Sequence, residues 1–285
     1  MKKRVLGMLA CLTLLALNVP AAMAETAASA GDLVGETAGE RVIPLRVMTY
    51  NIRFGKGWDE QWDLKRTVSV IRTANPDIIG LQEVDREWSS RSEFTDVVTE
   101  LAYELGMFYT FSTAMDKAPG FPGGKFGNAV LSRYPILEVV NRGLPGAGMG
   151  RSIAGVKILL EDVPVNFFTT HLGLSVEDRR LQMAKILQLL EEAAGPVIIT
   201  GDWNATADAE EVQAIAEWFL DVQAVVGKEH LGTFLSKNSL ERPRIDYIFV
   251  SPEFGVDKVE IIETMASDHL PVVADLTLRV TEGGD

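Results

Sequence analysis

The sequence is short of cysteine and of long hydrophobic runs. Its one cysteine, Cys11, lies inside its longest apolar run, Val5 to Val19. A basic head, Met1 to Arg4, precedes that run and Ala22-Met23-Ala24 follows it, which is typical of a secretory signal peptide at residues 1–24, cleaved after Ala24. The run is shorter than the roughly 20 apolar residues that a membrane-spanning helix needs. We therefore expect a periplasmic or secreted chain with no transmembrane segment and no disulfide, stabilised by burial of its core.

Clusters of basic residues are also missing. The chain has 27 Lys and Arg against 40 Asp and Glu, for a net charge of -13, and cleavage would remove Lys2, Lys3 and Arg4, leaving -16. Proteins that coat nucleic acid display clustered Lys and Arg, because phosphate neutralisation supplies most of the affinity. The acidic balance therefore disfavours a nucleic-acid partner, although a local basic groove is compatible with an acidic protein.

Linkers, repeats and low-complexity segments are absent between residues 43 and 280. Residues 25–42 are rich in Ala, Gly, Thr and Glu without an apolar period, which predicts a flexible leader, and residues 281–285 form a polar tail. One domain over residues 43–280 is large enough to bury a core by itself. We expect this domain to be a monomer.

Apolar periodicity predicts the secondary structure. Strands and helices are mixed without strict alternation, so we expect an α/β (α+β) fold of two packed mixed sheets with helices outside. A loop rich in Gly and Pro spans residues 117–127. The predicted helices are 62–73, 93–105, 177–193 and 209–219, and the predicted strands are 43–52, 77–82, 128–132, 153–160, 163–170, 196–200, 245–250, 256–263 and 271–280.

Polar side chains recur where the predicted strands begin or end. Because strand ends meet at one edge of a sheet, these residues are expected to share a cleft. Each has an ordinary structural explanation alone: a strand cap, a surface acid, a turn, or an ion pair between Asp246 and Arg244. Their joint occurrence, with two of the three histidines of the chain among them, favours a site. The set comprises Asn51, Glu83, His171, Asp202, Asn204, Asp246, Asp268 and His269.

The chemistry of this set is limited. Asn, Asp and Glu oxygens are hard ligands that suit Mg²⁺ or Mn²⁺, and the scattered histidines and missing cysteines argue against a zinc motif. A neutral histidine with a carboxylate partner acts as a general base. A divalent metal that neutralises developing charge, together with a base that activates water, is what hydrolysis of a phosphate ester requires.

Seven segments resemble the ordered motifs of the endonuclease/exonuclease/phosphatase superfamily, which includes deoxyribonuclease I, abasic-site endonucleases, bacterial sphingomyelinases and inositol polyphosphate 5-phosphatases. Each motif is weak alone, but seven in the expected order, spread from Leu45 to Leu278, are specific. They are residues 47–52 (VMTYNI), 76–84 (PDIIGLQEV), 127–135 (GNAVLSRYP), 170–172 (THL), 200–205 (TGDWNA), 244–248 (RIDYI) and 267–272 (SDHLPV).

The resemblance implies a four-layered sandwich and a role for each matching residue. Glu83 would be the principal metal ligand, with Asn51 and Asp268 beside it. His269 would be the base, oriented by Asp246. Asp202 and Asn204 would position water and a phosphate oxygen, and His171 would stabilise the charged transition state. Asn128, in the third motif, and Arg151 are predicted to bind substrate, although a lone arginine is more often a paired or solvated surface group.

Three functions remain open from the sequence. The first is an exported metal-dependent phosphodiesterase or phosphatase acting on a small or lipid-linked phosphate ester. The second is a secreted nuclease of the deoxyribonuclease type, and the third is an inactive binding module that retains the fold. Residues 58–62 are expected either to rim the cleft or to form a helix N-terminal turn. The loop at residues 118–127 is a candidate lid, with Phe121 and Phe126 as candidate lipid contacts.

Overall fold

The computed structural model describes residues 40–117 and 123–281. The predicted signal peptide, most of the predicted leader and Phe121 lie outside these residues. Within them the strands are β1 Glu40–Asn51, β2 Ile78–Arg86, β3 Phe108–Asp116, β4 Lys125–Ser132, β5 Ile136–Val139, β6 Arg142–Leu144, β7 Arg151–Leu160, β8 Val163–His171, β9 Val197–Asp202, β10 Leu220–Asp221, β11 Asp246–Val250, β12 Phe254–Ile261 and β13 Val272–Thr281. The α-helices are α1 Leu64–Ala74, α2 Val97–Leu105, α3 Val176–Glu191, α4 Glu210–Ala216 and α5 Val222–Val225.

The strands form two mixed sheets. Sheet 1 has the order β12-β13-β1-β2-β4-β3, and sheet 2 has the order β10-β11-β9-β8-β7-β5 with β6 also paired to β7. Each sheet has one parallel pair at its centre, β1 with β2 and β8 with β9. The predicted mixed sheets are therefore confirmed.

Three apolar clusters place the sheets and helices in four layers. The central cluster lies between the sheets and includes Val47, Ile78, Phe167 and Ile248. A second cluster packs α1 and α2 on the outer face of sheet 1, and a third packs α3 and α4 on the outer face of sheet 2. Trp203 is fully buried in the third cluster. Burial of both faces of each sheet explains the nearly continuous apolar runs of the central strands.

Local signals explain where the helices begin and end. Asp63 caps α1 by accepting from the backbone N of Lys65, and Asn75 ends it in the left-handed conformation. Ser175 caps α3 by accepting from the backbone N of Asp178. Small polar side chains satisfy the free N–H groups of a first turn, and Asn tolerates a positive φ at the helix end. Among the described residues, no helix is long and apolar enough to cross a membrane.

The two sheets approach each other closely at Gly80 of β2. A Cβ at this position would overlap the hydroxyl oxygens of Thr169 and Thr200 on the facing sheet. Beside it, Nε2 of the buried Gln82 donates to Oγ1 of Thr49 at 3.0 Å and to Oγ1 of Thr169 at 2.7 Å. The three threonines each lie two positions before a predicted site residue on the same strand, and Gln82 lies next to Glu83. The polar contact between the sheets therefore lies directly beneath the predicted site.

Candidate active site

The strand ends meet at one edge of the two sheets, as the sequence predicts. Asn51 ends β1, His171 ends β8 and Asp202 ends β9. Since β11 runs antiparallel to β9, its first residue, Asp246, stands opposite Asp202 in the ladder. β13 runs antiparallel to β1, which brings His269, just before β13, back to the end of β1.

Glu83 reaches this edge through a β-bulge. The pairing of β2 with β4 shifts register between Leu81 and Val84, and Glu83 has a φ of 56°. A bulge re-aims one side chain out of the regular alternation of a strand. As a result the Glu83 carboxylate faces Asn51, with Oε1 3.4 Å from Nδ2. Asn204, the other predicted site residue with a positive φ (48°), follows β9.

Asn51 connects carboxylates from both sheets. Its Nδ2 donates to Oδ2 of Asp202 at 3.0 Å as well as facing Glu83, while its Oδ1 accepts from the backbone N of Arg53 at 3.1 Å. The amide nitrogen therefore faces the acidic groups, and the amide oxygen faces away. In this arrangement Asn51 orients two carboxylates, and its role beside Glu83 as a metal ligand stays a prediction.

Asp268 has a partner that the sequence analysis missed. Its Oδ2 lies 3.2 Å from Nε of Arg53, which follows β1 in a left-handed turn with a φ of 45°. The preceding Ser267 donates its Oγ to the backbone O of Asn51 at 2.8 Å and accepts from the backbone N of His269. These bonds fix the Ser-Asp-His segment against the end of β1.

His269 and Asp246 form the predicted pair. Nδ1 of His269 lies 2.9 Å from Oδ2 of Asp246, and Thr233 donates its Oγ1 to the same oxygen at 2.6 Å. Arg244, the alternative partner for Asp246, instead pairs with Asp221 at 2.6 Å. A carboxylate that accepts from Nδ1 leaves Nε2 facing the cleft, the arrangement required of a general base.

The two carboxylates beside His269 control its charge. Burial alone lowers the pKa of the His269 imidazole, but the negative charges of Asp246 and Asp202 outweigh burial and raise it to about 10. Nε2 of His269 lies 3.5 Å from Oδ2 of Asp202. Without a cation in the cleft the ring is therefore protonated at neutral pH.

His171 is uncharged instead. Its Nε2 lies 2.9 Å from Nδ2 of Asn204 and 3.4 Å from Oδ2 of Asp202, while its Nδ1 is buried without a hydrogen-bond partner among the described residues. Burial lowers the pKa of His171 to about 3, and the neighbouring charge of Arg151 acts in the same direction against Asp202. Any stabilisation of a charged transition state by His171 must therefore come from a hydrogen bond.

The donor set fits a hard divalent cation. Burial raises the pKa of the Glu83 carboxyl, and Asp202 and Asp268 add to that shift against the opposing effect of His269. Oδ1 of Asp246 is buried without a hydrogen-bond partner in the described chain. Ligand atoms of Asp202, Asp246 and His269 also lie within 4.8 Å of one another, a grouping that the sequence analysis did not single out. Crowded carboxylate oxygens with unmet charge are what Mg²⁺ or Mn²⁺ would neutralise.

Arg151, at the start of β7, is 6% exposed, and the Nε of its side chain is buried without a hydrogen-bond partner among the described residues. Burial lowers the pKa of the Arg151 guanidinium, and the negative charges of Asp202 and Glu83 raise it. Because these two carboxylates belong to the cleft, the guanidinium lies close to it. Asn128 also lies nearby, but its Nδ2 donates to the backbone O of Ser152 at 2.7 Å. The side chain of Arg151 is thus a buried cation for which the described residues supply no hydrogen-bond partner at Nε, whereas Asn128 already has a partner.

The aromatic residues that the sequence predicted near the cleft differ in where the structure places them. Trp58 is half-buried near the cleft, with its backbone N bonded to Met265, whereas Trp62 donates its Nε1 to the backbone O of Phe54 and packs against the second cluster. Phe126 is 5% exposed and packs against Trp88, so it is not available as a lipid contact.

Two residues of the site escaped sequence analysis: Arg53 and Thr233. Arg53 follows the first motif directly, and that adjacency was the only signal available. Ser267 belongs to the seventh motif, but sequence analysis assigned it no role of its own. Thr233 lies in a loop, and only the fold brings its hydroxyl to Asp246.

The comparisons with known proteins identify the family of this chain. A family model described as the endonuclease/exonuclease/phosphatase family matches residues 48–269, which include every predicted site residue. The chain belongs to the endonuclease/exonuclease/phosphatase family. The resemblance inferred from the seven motifs, and the fold that it implies, are therefore confirmed.

Relatives within this family are distant. YbhP of Escherichia coli is 27% identical over 176 residues, a match that covers 56% of this chain and 66% of YbhP, just under two thirds of its length. The solved endonuclease/exonuclease/phosphatase of Beutenbergia cavernae is 27% identical with a TM-score of 0.70, over 83% of this chain and 72% of that one. A mannosyl-6-phosphatase of Bacteroides thetaiotaomicron, 21% identical, shares the fold with a TM-score of 0.64 over 81% of this chain and 99% of its own.

Proposed function

We propose that this protein is an exported hydrolase of phosphate esters, a phosphodiesterase or phosphatase, that depends on Mg²⁺ or Mn²⁺. One observation carries the proposal: a His-Asp pair, a cluster of carboxylates and a buried guanidinium whose Nε has no hydrogen-bond partner in the described chain face one cleft. A cluster of carboxylates would bind a metal, a histidine would activate water, and an unpaired arginine would bind a phosphate. The three groups together serve hydrolysis of a phosphate ester.

Glu83 and Asp268 would hold the cation, and Asn51 would orient Glu83 and Asp202 through its amide nitrogen. When bound, the cation would neutralise the charge that develops on the phosphoryl oxygens. Binding there also requires the guanidinium of Arg53 to share or release Asp268.

His269 would take the proton of the attacking water at Nε2. Asp246 holds the proton on Nδ1 and so keeps Nε2 free to accept. Asp202, whose Oδ2 lies 3.5 Å from that Nε2, would hold the water in line by accepting its second hydrogen. Asn204 fixes His171 and the backbone after β8 by donating to the backbone O of Leu172 at 3.0 Å.

Arg151 would bind the scissile phosphate. A buried arginine presents a planar fork of donors that matches two phosphate oxygens, and burial strengthens the contact. The phosphate would be the hydrogen-bond partner that the described residues do not supply at Nε of this guanidinium. The same fold carries a mannosyl-6-phosphatase in Bacteroides thetaiotaomicron, which supports a small phosphate ester as the substrate.

A substrate panel tests the proposal. Mature protein would be assayed with Mg²⁺ or Mn²⁺ against bis-p-nitrophenyl phosphate, inositol phosphates, sphingomyelin and plasmid DNA, with the His269→Ala variant purified in parallel to exclude contaminating hydrolases. We expect chelator-sensitive turnover of a small or lipid-linked ester. Preference for DNA would favour the nuclease, and no turnover of any substrate would favour the inactive binding module.

Export is a separate part of the proposal and has its own test. The basic head, apolar run and Ala-Met-Ala site predict a mature chain that starts at Glu25 outside the cytoplasm. Amino-terminal sequencing of protein from fractionated native cells would check this. Recovery of intact Met1 from the cytoplasmic fraction would contradict it.

A further inference from the structure

Three cations converge on one carboxylate at the rim of the cleft. Nη1 and Nη2 of Arg53 lie 3.2 Å from Oε1 of Glu60, and Nζ of both Lys56 and Lys237 also contacts the Glu60 carboxylate. These cations lower the pKa of Glu60 to about 2, with Lys237 the largest contributor. We call this group of four residues the rim cluster. It concentrates positive charge on a protein whose net charge is -13.

The rim cluster is attached directly to the catalytic cleft. The guanidinium of Arg53 that binds Glu60 also contacts Asp268 through Nε at 3.2 Å. The loop that carries Lys237 is tied to the same place, because the backbone N of Leu235 donates to the backbone O of Asp268 at 2.8 Å. A single guanidinium therefore separates the Glu60 carboxylate from a proposed metal ligand.

The backbone of this segment is unusual for a surface salt-bridge network. Ten described residues other than glycine have a positive φ, and three of them lie here: Arg53, Phe54 and Glu60, at 45°, 49° and 65°. Left-handed backbone is unfavourable for such residues and persists only where the surroundings impose it, commonly at functional sites. Exposed ion pairs contribute about 0–1 kcal/mol, too little to account for three such residues.

We propose that the rim cluster is a second anion-binding subsite, and that the Glu60 carboxylate occupies the place of an anionic group of the substrate. The substrate would be a phosphate ester with a second phosphate, joined to the scissile phosphate by a spacer. Arg53, Lys56 and Lys237 would bind that second phosphate after Glu60 swings outward. Trp58, whose ring centre lies 5.3 Å from Nζ of Lys237, would flank the spacer. This inference rests on the phosphohydrolase function proposed above.

Two substitutions of opposite expected effect test the subsite. Substrates would be inositol 1,4-bisphosphate and inositol 1-phosphate, assayed by release of inorganic phosphate from the full chain with Mg²⁺ or Mn²⁺. Lys237→Met removes a cation, so we expect KM for the bisphosphate to rise roughly 3- to 10-fold, consistent with one exposed charge contact. Glu60→Gln removes the competing carboxylate, so we expect that KM to fall. Neither variant should change KM for the monophosphate.

A purely structural network predicts another pattern. Loss of either partner would then weaken the loop, both variants would raise KM for both substrates, and the proposal would be overturned. Lys157→Met, which breaks an exposed pair with Glu138 (2.8 Å) between β7 and β5, is the matched control and should leave both KM values unchanged.

Binding without turnover separates this proposal from the proposed function. Melting midpoints of His269→Ala would be measured with each inositol phosphate, alone and combined with Lys237→Met. A bisphosphate-specific rise that disappears with Lys237→Met, in a protein without hydrolase activity, would retain the subsite and reject the function. Turnover without preference for the bisphosphate would retain the function and reject the subsite.

Discussion

His171 and His269 differ in charge although their surroundings are alike in two respects. Both rings are 5% exposed, and both place Nε2 close to Oδ2 of Asp202, at 3.4 Å and 3.5 Å. Yet the pKa is about 3 for His171 and about 10 for His269, because burial dominates at the first and the carboxylates dominate at the second. The difference lies at the far nitrogen: Asp246 contacts Nδ1 of His269, and no described residue contacts Nδ1 of His171. Two buried rings on one cleft thus acquire different charge states, one neutral and one positive, from one additional carboxylate.

Loss of either member of the His269–Asp246 pair should remove the difference between the two histidines and give the largest fall in kcat. His269→Ala should reduce kcat on the order of 10² to 10⁴, the usual contribution of a positioned base. Asp246→Asn should be nearly as damaging, because an amide can hold the ring in the wrong tautomer and no longer raises its pKa. Since the two residues act as a unit, the double variant should lose little more than either single one. Measurement of kcat and melting midpoints on all three variants checks this, and additive losses or a normal rate for Asp246→Asn would remove the pair from the mechanism.

The arginine beside His171 offers a second test, with a paired arginine as its control. Arg151→Met removes a cation without leaving a buried partner, so the fold should be retained while kcat/KM falls roughly 10- to 100-fold, the value of charged hydrogen bonds to phosphate. The pKa of His171 should rise toward its ordinary value.

Arg179 is the control, because it is 7% exposed and paired with the buried Glu211. Its loss should affect stability rather than activity. Arg179→Met should destabilise the fold by about 3–5 kcal/mol, because Glu211 is left unpaired, with little change in rate per folded molecule.

Glu83 tests whether a cation sets the charge of His269. Glu83→Gln should weaken metal affinity at least 10- to 100-fold, the loss that outer-shell substitutions already cause. Because the pKa of the Glu83 carboxyl is raised, its charge destabilises the metal-free fold, and this variant should melt higher in chelator than the wild type. In the wild type, added Mg²⁺ should lower the pKa of His269 from about 10 toward neutrality, as followed by NMR of the ring. Unchanged metal dependence in Glu83→Gln would reject Glu83 as a ligand.

The smallest effect concerns stability against pH in chelator. The folded pKa of His171 (about 3) lies below its ordinary value of 6.5, so the unfolded state alone binds this proton as pH falls below 6.5, and stability decreases. The folded pKa of His269 (about 10) lies above 6.5, so its contribution is complete below pH 6.5 and is lost as pH rises toward 10. His171→Asn should flatten the acid limb by up to about 1.4 kcal/mol per pH unit. Denaturant titrations between pH 4 and 10 on both proteins check this, and parallel acid limbs would contradict it.

The sequence predicted the central strands well because they are buried on both faces and read as apolar runs. It missed β3, β5, β6 and the two-residue β10, which lie at or beside the outer edges of the sheets. β3 is largely exposed at both ends and lacks a clear apolar alternation, and β5 and β6 have only four and three residues. An edge strand is held by its neighbour rather than by a buried face, so its own residues carry little signal.

The same difference between residues with and without a local sequence pattern applies to the site. Glu83, Asp246 and His269 were predicted because each is part of a motif at a strand end. The direction in which the Asn51 amide points, the contact of Arg53 with Asp268 and the hydroxyl of Thr233 on Asp246 depend on residues far apart in the chain. Such contacts leave no local pattern, and the charge of a buried histidine depends on them.

Gly80 has a consequence for any attempt to make this protein more stable. Replacing glycine by alanine in a strand is a common route to added stability, yet here one methyl group would collide with Thr169 and Thr200 and push the two sheets apart. Because the halves of the cleft belong to different sheets, the wedge would also misalign Glu83 and His171. A library of variants should therefore accept almost no substitution at Gly80, even though glycine has no side chain that could bind metal or substrate.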